Sequence, residues 1–368
     1  MAKYFLIAGE ASGDTHAARL MTAIRERDTQ ASFAGLGGDR MAAAGCHLYQ
    51  DYRRMAFMAF AAVLRNLGQV RRNFRIAREA LLAEQPDALI LIDYPSFNLR
   101  IAAFVRKHLP ATKIYYYIPP KAWAWKRWRV HQIARLSHEI LGIFPFEPAF
   151  YARYGYRCTY VGNPTVEEVK AKGQWLMANS NNTIALLPGS RMSEVTHCLP
   201  VMLEAARRMT GYRIVVTAAD GIDDAIYARY LQANEVLTRD TYSAVQQADM
   251  AIVNSGTATL ETALIGCPQV AVYHLACSRL IGLIRGVAQP LLFAIPYFTP
   301  VNILLNREAI RELVANDFTA DKIEVALRAL SQESRDKSQE LKTELETLLG
   351  TQSASATAAK IIVNETNH

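Results

Sequence analysis

The sequence predicts an α/β protein made of two doubly wound, Rossmann-like domains that face a cleft. A chain of 368 residues is long for a single domain. Short apolar runs alternate with segments of 3.6-residue periodicity, and continuous apolar runs are typical of parallel strands that helices cover on both faces. One polar segment at 170–182 interrupts the alternation, so we interpret it as the linker between the domains.

An N-terminal domain is assigned to residues 1–170. Each of its apolar runs is followed by Gly, Pro or a polar turn and then by a helical pattern, as in the stripe formed by Ala17, Leu20 and Ile24. The predicted strands are YFLIA (4–8), SFAGL (32–36), DALILI (87–92), KIYYYI (113–118), EILGIF (139–144) and CTYVG (158–162).

The alternation resumes in a C-terminal domain at 183–330, and a polar helical tail follows at 331–368. Leu341, Leu345 and Leu348 form one stripe of this tail, so we expect it to pack on the first domain or on a partner subunit of a homodimer. The predicted strands of the second domain are TIALLP (183–188), YRIVVTA (212–218), MAIVN (250–254) and QVAVYHL (269–275).

The composition is that of a globular protein, with 51% hydrophobic and 20% charged residues, which excludes long disorder, collagen and coiled coils. The formal charge of +7 is concentrated in one segment, residues 53–78. Outside this segment, the number of basic residues equals the number of acidic residues, which is 34. That segment contains no acid and seven arginines, namely Arg53, Arg54, Arg65, Arg71, Arg72, Arg75 and Arg78.

An apolar run at 55–64 lies inside the basic segment. It is too short to cross a bilayer, which takes about 20 residues, so we expect it to dip into a membrane surface while arginines meet lipid phosphates. A core-packed amphipathic helix is the alternative. The predicted membrane contacts are Met55, Phe57, Met58, Phe60, Val63, Leu64, Arg65, Arg71, Arg72 and Arg75.

The cysteines and the N-terminus point to the cytoplasm. The start of the chain has a five-residue apolar run and no cleavage pattern of a signal peptide. An odd number of scattered cysteines without a C-x-x-C pair predicts reduced thiols and no zinc site. They are Cys46, Cys158, Cys198, Cys267 and Cys277.

Polar side chains follow two predicted strands of the first domain, where doubly wound sheets bind their ligands. Glu10, Ser12 and Asp14 come after the first strand, and Asp93 lies at the exit of a buried strand. A carboxylate at such an exit can accept a proton from a hydroxyl nucleophile. Helix capping is the alternative at both places. The Trp-rich stretch at 119–129 suits a sugar phosphate or single-stranded nucleic acid, with packing as the alternative.

Two loops of the second domain have the layout of anion sites at helix N-termini. In the first, Gly189, Ser190 and Arg191 form a turn before a helix that opens near Glu194, and main-chain amides with a guanidinium suit a diphosphate. The second repeats this layout with Ser255, Gly256 and Thr257, and Glu261 has two oxygens for two ribose hydroxyls. Two such loops favour nucleotide binding over two merely capped helices.

Five motifs, in this order and spacing, resemble those of the lipid-A-disaccharide synthases over nearly the whole chain. The resemblance implies the GT-B glycosyltransferase architecture. It also implies transfer from UDP-2,3-diacylglucosamine to 2,3-diacylglucosamine 1-phosphate, with inversion, to give lipid A disaccharide 1-phosphate and UDP. The motifs are AGEASGD (8–14), LIDYPSFN (91–98), PPKAWAW (119–125), LLPGSR (186–191) with Glu194, and SGTATLE (255–261).

The resemblance also implies roles for the matching residues. Asp93 and Glu10 would be catalytic, with Asp93 as the general base for the acceptor's 6-hydroxyl. Substrate contacts would come from Ser12, Asp14, Trp123 and Asn302. UDP contacts would come from Gly189, Ser190, Arg191, Glu194, Ser255, Gly256, Thr257 and Glu261. No metal or other cofactor is expected, because cationic loops would stabilise the leaving diphosphate.

Two other functions remain open at this point. A UDP-N-acetylglucosamine 2-epimerase, or a transferase with a water-soluble acceptor, would keep the fold but has no need of the apolar run at 55–64. A basic nucleic-acid-binding protein would leave both nucleotide loops without a role. The favoured interpretation has no nucleic-acid partner and places the protein in the cytoplasm, peripheral on the inner membrane.

Overall fold

The computed structural model describes residues 2–55, 67–124, 127–173, 182–254, 256–274, 296–332 and 335–366. The chain forms two compact units. Unit 1 comprises Met1–Pro164 and Gln352–His368, and unit 2 comprises Thr165–Thr351. The division therefore falls at Pro164, before the predicted limit at 170, and the C-terminal tail is shared between the units. Most of the predicted linker, 174–181, lies outside the described residues.

Each unit contains one parallel sheet. The order in unit 1 is β3-β2-β1-β4-β5-β6-β7, and in unit 2 it is β10-β9-β8-β11-β12-β13. The strands are β1 (Lys3–Ala8), β2 (Ser32–Gly37), β3 (His47–Asp51), β4 (Ala88–Ile92), β5 (Lys113–Tyr117), β6 (Glu139–Gly142), β7 (Thr159–Tyr160), β8 (Thr183–Leu187), β9 (Arg213–Thr217), β10 (Val236–Thr238), β11 (Met250–Asn254), β12 (Gln269–Tyr273) and β13 (Arg311–Val314).

Helices connect most of these strands. They are α1 (Ala11–Arg25), α2 (Asp39–Ala43), α3 (Leu67–Glu84), α4 (Pro95–His108), α5 (Arg129–Leu136), α6 (Glu147–Ala152), α7 (Pro164–Ala171), α8 (Met192–Arg207), α9 (Asp224–Ala228), α10 (Thr241–Gln247), α11 (Thr257–Ile265), α12 (Pro300–Leu305), α13 (Ala320–Gln332), α14 (Arg335–Leu349) and α15 (Ala354–Thr366). Among the described residues, none of them combines the length and apolarity that crossing a bilayer requires.

Both sheets are covered on both faces, as their continuous apolar runs predict. Alternate residues of β1 enter different cores: Phe5 packs in one hydrophobic cluster and Leu6 in another. Ile184 and Ala185 of β8 divide in the same way between the two clusters of unit 2. Side chains of a strand point alternately to opposite faces, so each sheet has a helical layer on either side.

The C-terminal tail serves both units. Leu345 of α14 is fully buried in a cluster of unit 2 that also contains Leu260 of α11. Ala358 and Ile362 of α15 are buried in the cluster of unit 1 that contains Leu20 of α1. The last helix therefore completes the hydrophobic layer on one face of the first sheet.

The strand order reverses once in each sheet. In unit 1, β2 and β3 lie on one side of β1, and β4 lies on the other; in unit 2, β9 and β10 lie on one side of β8, and β11 on the other. Loops that leave two such neighbouring strands diverge to opposite faces and open a crevice beyond the carboxyl ends. These two crevices are the places at which the fold favours a ligand.

Candidate functional site

The crevice of unit 1 lies between the loops that follow β1 and β4. Ala8 and Ile92, the last residues of these strands, are paired in the sheet. Gly9 lies directly against the next loop, because a Cβ atom placed on it would be 2.3 Å from Cγ of Tyr94. Glu10, the N-cap of α1, and the exposed Ser12 follow Gly9. The predicted Glu10 and Asp93 loops are therefore neighbours.

Asp93 occupies a strained turn at the end of β4. Its φ is 43° and that of Tyr94 is 44°, and such left-handed conformations cost about 1–3 kcal/mol for a residue other than glycine. The Asp93 carbonyl oxygen accepts hydrogen bonds from Asn98 Nδ2 and the Tyr116 hydroxyl, both at 2.8 Å. The surrounding structure thus fixes the backbone of Asp93 while the residue itself remains exposed.

Asn98 and Tyr116 are supporting residues that the sequence did not identify. Asn98 is fully buried, and its Nδ2 also donates to the Ile92 carbonyl at 3.2 Å. The only available signal was a polar residue inside the apolar face of the following helix, five positions after Asp93. Tyr116 gave no signal, because a tyrosine in an apolar run is indistinguishable from ordinary core.

Asp14 has a buried carboxylate that acts as a helix cap. It accepts hydrogen bonds from the main-chain nitrogens of Gly38 at 2.7 Å, Arg40 at 3.0 Å and Met41 at 3.1 Å. These amides belong to the N-cap and the first turn of α2, which a carboxylate stabilises. The capping alternative describes what Asp14 does in this structure, and its substrate contact stays a prediction.

Trp123 is a packing residue in this structure. It is 5% exposed, its Nε1 donates to Glu147 Oε1 at 3.1 Å, and its ring packs edge-on against Phe144 and Phe146. Burial raises the pKa of Glu147 to about 7. Of the tryptophans that the structure describes in this stretch, Trp123 is buried and Trp128 is exposed. The substrate contact of Trp123 stays a prediction.

Asn302 is fully buried, and Nδ2 donates to the Ile310 carbonyl and to Glu312 Oε1, both at 2.8 Å. Its Oδ1 accepts from the main-chain nitrogens of Ala309 at 2.8 Å and Ile310 at 2.9 Å. The side chain joins α12 to the start of β13, and the predicted substrate contact of Asn302 stays a prediction.

The crevice of unit 2 begins with the loop after β8. Gly189 has a φ of 115°, and a Cβ atom there would lie 2.4 Å from Glu194 Oε2 and 2.7 Å from Asn254 Nδ2. Glu194 Oε2 accepts from the main-chain nitrogens of Ser190 at 3.0 Å and Arg191 at 3.2 Å. Glu194 therefore shapes this loop against the end of β11.

Arg191 is the N-cap of α8 and the cationic side chain of this loop. Its side chain is 51% exposed, and its Nη1 lies 3.7 Å from Glu194 Oε1. The neighbouring Ser190 is exposed as well. A guanidinium beside the N-terminus of a helix of 16 residues is suited to a diphosphate.

The loop after β11 completes this crevice. Gly256 is the N-cap of α11 and Thr257 is exposed at its first position; Ser255 lies outside the described residues. Glu261, one turn further, is half-buried, and its Oε1 accepts from the Tyr242 hydroxyl at 3.1 Å. Burial and then the negative charge of Glu168 raise the pKa of Glu261 to about 7.

The predicted membrane segment is only partly described. Met55 is 2% exposed and packs in the core of unit 1, as the core-packed alternative describes, and its membrane contact stays a prediction. Arg71, Arg72 and Arg75 are exposed on α3. Arg53 pairs with Asp39 and Asp51, so part of the basic excess is neutralised. Phe57, Met58, Phe60, Val63, Leu64 and Arg65 lie outside the described residues.

The cysteines that the structure describes form no disulfide, and all of them are buried: Cys46, Cys158, Cys198 and Cys267. Cys277 lies outside the described residues. In the described part of the chain, no group of three or more His, Cys, Asp or Glu side chains is arranged to hold a metal ion.

Comparison with protein families gives a match over almost the full length. The family model described as lipid-A-disaccharide synthetase matches residues 4–365. The lipid-A-disaccharide synthase of Myxococcus xanthus (strain DK1622) is 36% identical over 343 residues, which cover 89% of this chain and 87% of that protein. The enzyme of the same name from Syntrophus aciditrophicus (strain SB) is 34% identical over 373 residues, with coverages of 96% and 95%.

Comparison with solved structures identifies the fold as GT-B. The S. aureus MnaA–UDP co-structure has a TM-score of 0.65 at 11% identity and covers 99% of this chain and 96% of that one. The glycotransferase of kitacinnamycin has a TM-score of 0.63 at 14% identity, with both coverages at 99%. At these identities the likeness concerns the fold alone.

Proposed function

The chain belongs to the lipid-A-disaccharide synthase family, and on that premise we propose how its two crevices carry out the reaction. It is a glycosyltransferase of lipid A biosynthesis. The proposed donor is UDP-2,3-diacylglucosamine, and the proposed acceptor is 2,3-diacylglucosamine 1-phosphate. The observation that carries the proposal is that the acidic loops and the anion-suited loops follow the strands at which the two sheets reverse their order.

Asp93 is proposed as the general base. Its position at the end of β4 and its fixed backbone support this role, since a base has to be held where the attacking hydroxyl arrives. As the acceptor's 6-oxygen forms a bond to the anomeric carbon, its proton passes to the Asp93 carboxylate and the bond from that carbon to UDP breaks. Attack opposite the leaving group inverts the anomeric centre. Glu10, in the neighbouring loop, is the second proposed catalytic carboxylate.

The loops of unit 2 are proposed to hold UDP. The Arg191 guanidinium and the amides at the start of α8 would stabilise the negative charge that develops on the leaving diphosphate. Gly256 and Thr257, with Ser255, would contact a phosphate from the N-terminus of α11. The Glu261 carboxylate would accept hydrogen bonds from the ribose hydroxyls. These contacts require no metal ion.

A groove between α3 and α4 supports the proposal of a membrane-facing surface on unit 1. It has a volume of about 520 Å³, and its lining has four arginines and one acid, Glu79, which pairs with Arg75 at 3.9 Å. The full lining is Arg71, Phe74, Arg75, Arg78, Glu79, Leu82, Arg100 and Phe104. The guanidiniums of Arg78 and Arg100 lie 5.9 Å and 5.6 Å from the centre of the Phe74 ring. We propose that these cations meet lipid phosphates at the cytoplasmic face of the inner membrane, each contributing about 1 kcal/mol. Homodimer formation stays a prediction.

The assignment of Asp93 is tested with Asp93→Asn. The amide has nearly the shape of the carboxylate but cannot accept the proton, so we expect turnover to fall by about 100-fold to 10,000-fold. UDP affinity, measured by calorimetry, should be unchanged because the proposed UDP contacts are in unit 2. Asp336→Asn, at an exposed position of α14, is the matched control and should retain full turnover. Wild-type turnover in Asp93→Asn would refute the assignment.

A further inference from the structure

The carboxyl group of Glu261 accepts a hydrogen bond from a tyrosine of another helix, and a lysine contacts the ring of that tyrosine. The Tyr242 hydroxyl, on α10, donates to Glu261 Oε1 at 3.1 Å. The ammonium group of Lys172, which directly follows α7, lies 5.2 Å from the centre of the Tyr242 ring. Cations are attracted to the face of an aromatic ring at such distances. Lys172, Tyr242 and Glu261 thus form a chain of contacts that ends at the proposed ribose site.

Tyr242 and Glu261 lie on α10 and α11, Lys172 directly follows α7, and these three helices pack in one hydrophobic core. Val166 and Val169 of α7 pack in the same hydrophobic cluster as Val245 of α10 and Leu260 of α11. The two valines are 4% and 5% exposed, and Val245 and Leu260 are 1% exposed. Because the three helices are fixed to one another by this core, the positions of Lys172 and Tyr242 relative to Glu261 are set by the fold of unit 2.

The hydrogen bond from Tyr242 fixes the orientation of the Glu261 carboxylate. A carboxylate that binds two ribose hydroxyls has to present both oxygens in one orientation, but an unsupported glutamate rotates about its terminal bond. A phenol that donates to Oε1 selects one orientation and leaves Oε2 and a further acceptor site on Oε1 for a ligand. Holding a ligating carboxylate in place in this way reduces the entropic cost of binding.

We infer that Tyr242 is a positioning residue for the UDP donor, that it fixes the Glu261 carboxylate toward the ribose, and that Lys172 holds the Tyr242 ring in place. The inference rests on the proposed role of Glu261 as the ribose ligand. We therefore expect the site to bind ribose more tightly than 2′-deoxyribose, because Tyr242 keeps the Glu261 carboxylate oriented toward both ribose hydroxyls.

The same contacts make donor binding depend on pH. Burial and the charge of Glu168 raise the pKa of Glu261 to about 7, whereas the Tyr242 hydrogen bond and Lys172 act in the opposite direction. Of the other helices packed on α11, α12 has no titratable residue, and α14 places Gln339 against Gly266. Only the ionised carboxylate accepts through both oxygens, so UDP affinity should fall as pH decreases through about 7.

The test measures the affinity of UDP and of 2′-deoxy-UDP by calorimetry between pH 6 and pH 8.5. In Tyr242→Phe we expect UDP to bind about fivefold to tenfold more weakly at pH 8, and the preference for UDP over 2′-deoxy-UDP to shrink by a similar factor. The pH midpoint should rise in Tyr242→Phe and in Lys172→Met, and it should fall in Glu168→Gln. Because each variant binds the same ligand, the titration of UDP itself cancels in the comparison.

Controls separate this inference from the proposed function. Tyr212→Phe, in the same unit, removes a hydroxyl away from Glu261 and should bind UDP like the wild type, while equal thermal midpoints show that the variants are folded. If Glu261→Gln keeps the preference for UDP over 2′-deoxy-UDP, the ribose role fails and the inference fails with it. If Glu261→Gln loses that preference but Tyr242→Phe keeps it together with the wild-type pH midpoint, only the inference is overturned.

Discussion

At the scale of single residues, the same sequence pattern serves two different purposes. A polar side chain just after a buried strand can bind a ligand or cap a helix, and both uses need an acceptor oxygen at that place. Asp14 and Asp93 both fit the pattern, but Asp14 is 3% exposed and bound to three amides, whereas Asp93 is exposed. Whether the aspartate is buried depends on the start of α2, whose amides lie 24 or more positions further along the chain. A local sequence pattern does not show that these amides come close to Asp14.

Asp14→Ala should destabilise the protein without a direct effect on the chemistry. It leaves three amides at the start of α2 without their acceptor, which we expect to lower the free energy of unfolding by about 2–3 kcal/mol. Asp14→Asn keeps one acceptor oxygen and should cost less. Ser12→Ala, at an exposed position of the same helix, is the control and should change stability by less than about 0.5 kcal/mol.

Urea denaturation followed by circular dichroism measures these differences. A wild-type free energy of unfolding in Asp14→Ala, together with a raised KM for the acceptor, would mean that Asp14 acts on the substrate and that its role as a cap is minor.

At the scale of elements, the sequence located the interior strands and missed three edge strands. β1, β4, β8 and β11 are continuous apolar runs because helices cover both of their faces. The missed strands are β3 (HLYQD), β10 (VLT) and β13 (RELV), all at the margins of their sheets. An edge strand has one neighbouring strand and more contact with solvent. Such a strand is short and its residues are polar, so its sequence resembles that of a loop.

The supporting residues of the site were missed for a related reason. The hydrogen bond from Tyr242 to Glu261 joins two helices across 19 positions, and the one from Tyr116 to Asp93 joins β5 to the turn after β4 across 23. Neither pair belongs to a local motif. The glycines and acids of the loops could be recognised because each loop is contiguous in sequence.

The groove of α3 and α4 allows a test of membrane docking at this scale. Reversing two of its charges with Arg71→Glu and Arg75→Glu should reduce binding to vesicles that contain phosphatidylglycerol by about tenfold or more at 0.15 M salt. The double variant Arg213→Glu and Arg229→Glu places the same charge change on exposed positions of unit 2 and should bind like the wild type. Co-sedimentation is the readout. Equal binding to anionic and to phosphatidylcholine vesicles would contradict this use of the groove.

At the scale of the whole molecule, one chain builds two sheets of the same plan and divides the proposed chemistry between them. The acidic loops belong to unit 1, and the anion-suited loops belong to unit 2. The chain leaves unit 1 at Pro164 and returns to it at Gln352. The two crossing points are close together, because a Cβ atom placed on Gly162, whose φ is 101°, would be 2.8 Å from the Gln352 carbonyl oxygen. The final helix then packs on α1, so unit 1 requires both ends of the sequence.

We propose that this chain joins two acylated sugars with release of UDP. The most direct measurement incubates the wild-type protein in detergent with UDP-2,3-diacylglucosamine and 2,3-diacylglucosamine 1-phosphate, and follows both products by mass spectrometry. We expect lipid A disaccharide 1-phosphate and UDP in equal amounts, and neither product when the acceptor is omitted. No disaccharide, or UDP release that does not need the acceptor, would contradict the account.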